Sequence, residues 1–328
     1  MTLWVTDWPF EFGLRGWNNG PHDLKVDIGH RSELVVFNDE LLKPIPLERY
    51  NVILGRQRMT RATYEYRGLD DPFATLTPGS FGVTERAENG RQLYVRPPED
   101  RPIRESDRIE VATRDTLVWL QFKHNLVLRN LHFRHARNHH GAAAVHIGAD
   151  SPGRWQLKNV VIDNVTSHEN SGIGMKILWA QGITVRNVTA NYNGGGGITT
   201  GSIQNIVWED NVTNFNNWRG AWGQFVSWAF GGVKHHRIRD GIFRRHTAIG
   251  NHTRGFWFDI DHRNLLIEDV ICVGNIRGLF LEICPGPIEV RRALLVDDME
   301  VDLEIHANFD TLVRDSIILN RSGPKGAV

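Results

Sequence analysis

The amino-acid sequence predicts an all-β fold: a single-stranded right-handed parallel β-helix of about eight coils, with a small accessory β unit before it. Three observations predict this fold. A short strand motif recurs with a period near 23 residues, the strands alternate apolar and polar residues, and helical periodicity is lacking. The period is too short for a propeller blade, and the lack of helical patterning excludes helical repeats.

The recurring unit is an aliphatic strand that ends in Asn or Asp and is followed by another aliphatic residue. Its copies are VLRNL (127–131), VIDNV (161–165), TVRNV (184–188), WEDNV (208–212), LIEDV (266–270), LVRDS (312–316) and the degenerate EVRRA (289–293). Asn164 and Asn187 are 23 residues apart, and Asn211 follows after 24. Because coils stack about 4.8 Å apart, residues one period apart become neighbours. Asn tolerates left-handed backbone, so we interpret these residues as structural corners.

The chain divides into four segments. Residues 1–30 are rich in Trp and Gly and are predicted to be an N-terminal cap or remnant. Residues 31–114 lack the repeat and are predicted to form a small accessory β domain. Residues 115–321 form the predicted β-helix, and residues 322–328 are predicted to be a flexible tail.

Longer gaps between repeats indicate loops inserted into otherwise regular coils, and loops carry function more often than regular strands do. One insertion, NNWRGAWGQFVSWAFGG, contains Trp218, Trp222 and Trp228. A turn does not require this aromatic density, and flat rings with one polar edge suit carbohydrate surfaces. We therefore expect this loop to form a wall on which sugar rings stack.

Composition narrows the class of ligand. The 38 Lys and Arg residues balance 38 Asp and Glu residues, which argues against binding to nucleic acid or an anionic membrane and favours a neutral ligand. Two cysteines, Cys272 and Cys284, exclude a disulfide framework. No signal peptide and no run long enough to span a membrane is visible, so we expect a cytoplasmic protein or a truncated secreted one.

Two coils align closely and place two carboxylates in register. GFWFDI (255–260) aligns with GLFLEI (278–283), and Asp259 lies 23 residues before Glu282. Alternation points the apolar residues of both segments, up to Ile260 and Ile283, into the coil. Asp259 and Glu282 then point outward on adjacent strands.

This stacking suggests covalent catalysis on a sugar. Carboxylates one strand spacing apart come close to the roughly 5 Å that retaining glycosidases use for a nucleophile and an acid/base. Repulsion between such close charges raises one pKa, which suits a proton donor, while the other group stays ionised. Like charges in register destabilise a sheet, which weighs against a merely solubilising role.

Further residues join the predicted site as substrate-binding candidates. Counting back along the repeat adds Lys176 and Lys234 to the column of carboxylates, and counting forward adds Glu304. Lys234 would lie beside Asp259, where its positive charge keeps the carboxylate ionised. Asp261 is a further candidate at the corner after the strand.

The histidine-rich segments have no clean metal spacing and no accompanying Cys, so we predict no metal site and no cofactor. We interpret His168 and Glu169 in SHEN as sugar contacts instead. Trp257 joins Trp222 and Trp228 as an aromatic contact to the sugar. The predicted partner is therefore a carbohydrate substrate, and we predict no particular oligomeric state.

At GFWFDI and LFLEICPGP the sequence resembles the right-handed β-helix glycoside hydrolases, particularly the β-xylosidases of glycoside hydrolase family 120. That family carries a similar Trp-x-Asp strand and a Phe-x-Glu strand followed by a Gly-Pro corner. The resemblance implies a retaining hydrolase of β-linked, xyloside-like sugars in plant-type oligo- or polysaccharides, with Asp259 as nucleophile and Glu282 as acid/base. The chain departs from the family in lacking most of its N-terminal coils and in the CPGP corner.

Two other functions fit the sequence. A noncatalytic carbohydrate-binding or adhesin-type β-helix would use the Trp-rich loop to hold sugar, with the carboxylates only accepting hydrogen bonds from hydroxyls. A polysaccharide lyase or uronate epimerase would need a cation to neutralise the substrate carboxylate and a base to remove the α-proton. The zero net charge argues mildly against this last alternative.

Overall fold

The structure is a computed structural model. The residues that the structure describes are 3–7, 33–53, 63–87, 90–138, 141–149, 157–221 and 230–321. Two compact units divide the chain, Met1–Arg114 and Asp115–Val328. Of the segment predicted as a cap, residues 1–30, only residues 3–7 are described. The predicted tail at 322–328 lies outside the described residues.

The first unit is a small β structure. Its strands are β1 (Trp4–Asp7), β2 (Val35–Phe37), β3 (Glu40–Leu41), β4 (Lys43–Pro44), β5 (Glu48–Ile53), β6 (Thr63–Leu69), β7 (Ser80–Ala87), β8 (Gly90–Arg96) and β9 (Ile109–Val111). One short helix, α1 (Pro72–Thr75), precedes β7. The strand orders are β1-β8-β7-β4, β3-β2-β9 and β5-β6. A separate apolar core forms here around Phe81, Leu93 and Val95.

The second unit is built almost entirely of strands. They are β10 (Val118–Leu120), β11 (His124–Arg134), β12 (Ala143–Ile147), β13 (Leu157–His168), β14 (Ile173–Thr189), β15 (Ile198–Glu209), β16 (Gly231–Arg244), β17 (Thr247–Ile249), β18 (Arg254–Asp259), β19 (Arg263–Glu268), β20 (Ile271–Val273), β21 (Arg277–Glu282), β22 (Ile288–Arg291), β23 (Leu294–Val296), β24 (Val301–His306), β25 (Thr311–Arg314) and β26 (Ile317–Leu319). A single turn of helix, α2 (Trp218–Ala221), follows β15.

These strands form three parallel faces of a coil. The first sheet runs β10-β12-β14-β15-β16-β18-β21-β24, and the second runs β11-β13-β14-β15-β16-β19-β22-β25. The third sheet is β17-β20-β23-β26. The long strands β14, β15 and β16 pass from the first sheet into the second, and each of them pairs with strands of the coil before it and the coil after it. Among the described residues, no helix combines the length and apolar character that crossing a membrane requires.

The interior of the coil is filled by alternate residues of each strand, as predicted. Phe256 and Phe258 of β18, and Leu279 and Leu281 of β21, are each 0% exposed. Their column continues through neighbouring coils, so that one apolar core runs the length of the second unit. Each strand therefore turns its remaining side chains to the outer surface.

The predicted inward orientation of Ile260 and Ile283 is wrong. Both residues follow the last residue of their strand and have left-handed backbone, with φ of 64° and 53°. Ile283 is 45% exposed. Alternation stops where the backbone turns, so the strand pattern does not reach these positions.

Left-handed Asn residues form the predicted corners. Asn130 and Asn164 have φ of 57° and 53°, and the amide of Asn164 donates to Asn130 Oδ1 at 2.8 Å. One repeat was misaligned by a residue, because the corner after Asn187 is Asp210, with φ of 57°. Asn211 is buried instead, and its Oδ1 accepts a hydrogen bond from the backbone N–H of Val188.

A second ladder of polar side chains lies buried inside the coil. Its members are Asn170, Asn193, Asn216, Asn251, Asn275 and Asp298. Each Asn amide donates to the side-chain oxygen of the next member at 2.8–3.0 Å. These bonds satisfy amides that would otherwise be costly to bury.

Asp298 ends this ladder with a carboxyl group in place of an amide. Its Oδ1 accepts from the amide of Asn275 at 2.9 Å, whereas its Oδ2 is buried without a hydrogen-bond partner among the described residues. Burial is the largest cause that raises the pKa of Asp298 to about 7. The folded chain therefore holds this carboxyl protonated at mildly acidic pH.

Replacing Asp298 by Asn is expected to stabilise the protein at neutral pH. The folded-state pKa lies above the ordinary 3.8, so the wild-type loses stability as pH rises from about 4 to about 7. An amide cannot ionise, and the variant should gain about 1–3 kcal/mol at pH 8 and little at pH 4. Urea unfolding at both pH values measures this. Equal effects at the two pH values would contradict the assigned protonation.

Candidate active site

Asp259 and Glu282 are neighbours at the ends of two adjacent strands. Asp259 is the last residue of β18, Glu282 is the last residue of β21, and the two are register partners in a parallel pair. Adjacent strands lie about 4.8 Å apart, and both side chains belong to the outward set of the first sheet. The predicted stacking of these two carboxylates is confirmed.

Asp259 is contacted by two side chains from β16, Lys234 and His236. Lys234 Nζ lies 2.8 Å from Asp259 Oδ2, and His236 Nδ1 lies 3.4 Å from the same oxygen. The side chain of Lys234 is 1% exposed and that of Asp259 is 14% exposed. The ion pair therefore balances the charge of Asp259 in a largely dry place, where charge interactions are strong.

Glu282 is held by Trp257, which lies two residues before Asp259. The indole Nε1 of Trp257 donates to Glu282 Oε2 at 3.1 Å. The ring stacks on Phe280 at 5.6 Å between centroids, and Lys234 Nζ lies 3.4 Å from the ring centre. Trp257 is only 2% exposed. The predicted role of Trp257 as an exposed sugar-stacking ring does not fit this burial, and its polar edge serves Glu282 instead.

The predicted extension of the carboxylate column is wrong by two residues. Lys234 is in register with Trp257 rather than with Asp259. Glu304 is in register with Phe280, so it does not continue the column of Glu282. A shift of two residues leaves a side chain on the same face of a strand, so alternation alone does not reveal the error. Lys234 reaches Asp259 diagonally because its side chain is long.

On the two outer sides of the Asp259–Glu282 pair, the register partners are histidines. His236 precedes Asp259 in the column, and His306 follows Glu282. Neither histidine is among the site residues that the sequence pattern predicts. Counting 23 residues back from Asp259 would have found His236, whereas His306 lies in a coil that is one residue longer.

Burial sets the protonation of these groups. Burial and the negative charge of Asp259 raise the pKa of Glu282, and the bond from Trp257 opposes the rise. Burial lowers the pKa of Lys234 to about 8, against the charge of Asp259. Burial and the charge of Lys234 lower the pKa of His236 to about 3, so its ring is neutral at neutral pH. The pair thus combines a carboxyl group whose pKa is raised with a carboxylate beside the ammonium group of Lys234.

Lys176 and Glu304 lie in the outward column of Trp257 but apart from the carboxylate pair. Lys176 on β14 is three strands before Trp257, and its Nζ donates to the backbone oxygen of Gly141 at 3.1 Å. Glu304 on β24 forms an ion pair with Arg277 at 2.7 Å. The structure does not bring either residue to Asp259.

Asp261 lies at the corner after β18, as predicted, with φ of 57°. Its carboxylate pairs with Arg239 at 3.3 Å and with Arg263 at 3.1 Å. These contacts hold it on the corner between strands, away from the outer face of the first sheet.

Trp222 and Trp228 of the predicted aromatic wall lie outside the described residues.

His168 and Glu169 form a separate polar cluster. His168 ends β13 in the second sheet, where its ring stacks on His132. Glu169 Oε2 lies 3.2 Å from His135 Nε2. The prediction that this pair shares a site with Asp259 is wrong, because the two places lie on different sheets and several coils apart.

Within the described ranges, no group of three or more His, Cys, Asp or Glu side chains is arranged to hold a metal ion.

Comparison with known proteins agrees with this architecture. Residues 112–240 match the sequence model of the right handed beta helix region. XylC, solved in complex with xylose, superposes with a TM-score of 0.64 at 11% identity over 95% of this chain and 56% of its own. This chain is a right-handed parallel β-helix.

A second solved structure has the same fold. The β-helix resembles PfbA, a surface adhesin of Streptococcus pneumoniae, with a TM-score of 0.53 at 10% identity over 65% of this chain and 59% of PfbA. The chain spans less than two thirds of the length of either protein. No curated protein matches it in sequence. Identities this low indicate a shared fold alone.

Proposed function

We propose that this β-helix is a retaining glycoside hydrolase that cleaves a β-linked, xyloside-like sugar. The observation that carries the proposal is the register pairing of Asp259 with Glu282 on adjacent strands. One strand spacing matches the close separation of a nucleophile and an acid/base, and it leaves too little room for the water of an inverting enzyme. The motif resemblance to family 120 β-xylosidases, and the xylose in the XylC structure, support the choice of sugar.

In the first step, Asp259 attacks the anomeric carbon. Its Oδ2 is engaged by Lys234, which leaves Oδ1 as the attacking oxygen. The bond from the anomeric carbon to the leaving oxygen breaks, and that oxygen takes the proton of Glu282. The products of this step are the free alcohol and a glycosyl ester of Asp259.

The position of the proton on Glu282 follows from its contact with Trp257. An indole N–H only donates, so Glu282 Oε2 accepts this bond, and Oε1 remains available to carry the proton for the leaving group. Burial and the charge of Asp259 raise the pKa of Glu282, which favours the protonated form that a general acid needs. Glu282 thus presents a donor to the leaving group while Trp257 fixes the orientation of the carboxyl.

In the second step, water cleaves the ester. Glu282, now ionised, takes a proton from the water, whose oxygen bonds to the anomeric carbon as the bond to Asp259 breaks. Lys234 balances the charge that returns to Asp259. Two inversions give a product with the anomeric configuration of the substrate.

Hydrolysis of an aryl β-xyloside, followed by proton NMR of the first product, tests the proposal. A retained β-anomer is expected. An initial α-anomer would overturn the retaining mechanism. Binding of xylo-oligosaccharides without turnover of any glycoside would favour the noncatalytic alternative, and an ultraviolet-absorbing double bond in the product would favour a lyase.

Replacing Trp257 by Phe is expected to change the pH profile of the enzyme. Phe preserves the stack on Phe280 but removes the donor that lowers the pKa of Glu282. The basic limb of kcat/KM should move to higher pH, until loss of the Lys234 proton near pH 8 becomes limiting. A fall in kcat of about 10-fold is expected from the lost hydrogen bond.

The matched control is Trp119→Phe. Trp119 lies in the same outward column on β10, five strands before Trp257, and is 57% exposed. This variant should retain the wild-type pH profile. A basic limb that stays in place in the Trp257 variant would contradict the assigned hydrogen bond.

A further inference from the structure

Arg254 places a guanidinium beside the aromatic side chains that flank the carboxylate pair. It is the first residue of β18, the strand that ends in Asp259. Its guanidinium lies 4.4 Å from the ring centre of Trp257 and 5.7 Å from that of Phe280. Since the indole of Trp257 bonds Glu282, only one side chain separates Arg254 from the proposed acid/base.

Two neighbouring cations, Lys234 and Arg277, have acidic partners. Lys234 pairs with Asp259 at 2.8 Å, and Arg277 pairs with both Glu300 and Glu304, at 2.8 and 2.7 Å. The carboxylates of these two glutamates therefore already share an ion pair with Arg277.

Arg254 itself has no hydrogen bond or ion pair with any residue in the described part of the chain. It is partly buried, and its Nε is buried with no hydrogen-bond partner there. Burial, followed by the charge of Arg277, lowers the pKa of Arg254, and the negative charges of Glu282, Glu304 and Glu300 oppose this shift. A guanidinium remains protonated in a protein. A partly desolvated cation without a hydrogen-bonded partner lowers the stability of the folded protein. Contact with the Trp257 ring offsets only part of this loss.

We propose that Arg254 binds the carboxylate of a uronic acid, so that the site takes an acidic β-linked sugar in preference to its neutral counterpart. This inference rests on the proposed function, because it assumes that a sugar occupies the face beside Asp259 and Glu282. A guanidinium presents donors in a planar fork that matches a carboxylate. Trp257 holds that fork close to the proposed acid/base, where a substituent of the bound sugar can reach it.

Three aryl β-glycosides test the inference because they differ only at C5. The p-nitrophenyl xyloside carries hydrogen there, the glucoside carries a hydroxymethyl group and the glucuronide carries a carboxylate. The wild-type kcat/KM for the glucuronide should exceed that for the xyloside by at least about 10-fold, as expected for one charge-assisted hydrogen-bonded pair. A wild-type preference for the xyloside or the glucoside would overturn the inference while leaving the hydrolase proposal intact.

Arg254→Gln should lower the ratio of glucuronide to xyloside kcat/KM by about 10- to 100-fold. Arg254→Lys should give an intermediate ratio, because it keeps the charge without the planar fork. The control is Arg244→Gln in the second sheet, where Arg244 pairs with Glu209 at 2.7 Å, and its ratio should match the wild type. An unchanged ratio in Arg254→Gln would overturn the inference.

A binding measurement separates this inference from failure of the proposed function. Titration calorimetry with D-glucuronate and D-xylose requires no turnover, so it remains informative if no glycoside is cleaved. The wild type should bind glucuronate more tightly, by a margin that shrinks with added NaCl, and Arg254→Gln should lose the margin. If Arg254→Gln fails to fold, as judged by circular dichroism, the Lys variant and the salt dependence decide. Equal affinities for the two sugars in the wild type would overturn the inference.

Discussion

Replacing Asp259 by Asn is expected to lower kcat on an aryl β-xyloside by about 10⁴-fold or more. The amide is isosteric with the carboxylate but is a poor nucleophile, so the glycosyl ester does not form. Substrate binding should change much less, because the shape of the site is kept. Steady-state kinetics of the purified variant measure the effect.

The control for this variant is Asp240→Asn. Asp240 lies at a left-handed corner of the second sheet and accepts a hydrogen bond from the amide of Asn264 at 2.7 Å. Asn tolerates the same backbone conformation, so this variant should fold and retain wild-type kcat. Full turnover by Asp259→Asn on every cleavable glycoside would remove the hydrolase proposal.

Chemical rescue assigns the role of Asp259 more sharply. In Asp259→Ala, azide can enter the space left by the carboxylate and attack the anomeric carbon directly. A single inversion at a β-glycoside should give the α-glycosyl azide. A β-glycosyl azide would instead mean that another residue forms the covalent intermediate.

Replacing Glu282 by Gln is expected to produce a loss that depends on the leaving group. Aryl glycosides with acidic phenols need little protonation and should lose little in the first step, whereas alkyl glycosides should lose about 10²- to 10⁴-fold in kcat/KM. The basic limb of the pH profile, to which the raised pKa of Glu282 contributes, should disappear or move to the limit set by Lys234 near pH 8. A series of substrates with graded leaving-group pKa measures this dependence.

Glu304→Gln is the matched comparison, because Glu304 lies on the next strand and pairs with Arg277. Its effect should not vary with the leaving group. Azide rescue of Glu282→Ala should give the β-glycosyl azide, since azide then opens the ester on Asp259 with a second inversion. A graded leaving-group dependence in Glu304→Gln, and none in Glu282→Gln, would transfer the acid/base role to Glu304.

Much of the fold and the central pair of the site could be predicted from the sequence. The period of 23 residues determines which residues stack, because a parallel coil turns one period of chain into one strand spacing. Asp259 and Glu282 are one period apart within two coils of equal length, so their pairing followed from counting. The apolar residues between them likewise alternate with the strand pleat.

The tertiary structure alone decided how the pair is held. Alternation repeats every two residues, so it could not show whether Lys234 aligns with Trp257 or with Asp259. It also could not show that the Lys234 side chain reaches Asp259 across the columns, or that Trp257 is buried and turns its N–H toward Glu282. These contacts depend on side-chain length, rotamer and burial in three dimensions, which a one-dimensional pattern does not contain. That Arg254 Nε is buried without a hydrogen-bond partner among the described residues likewise depends on side-chain positions that only the three-dimensional structure contains.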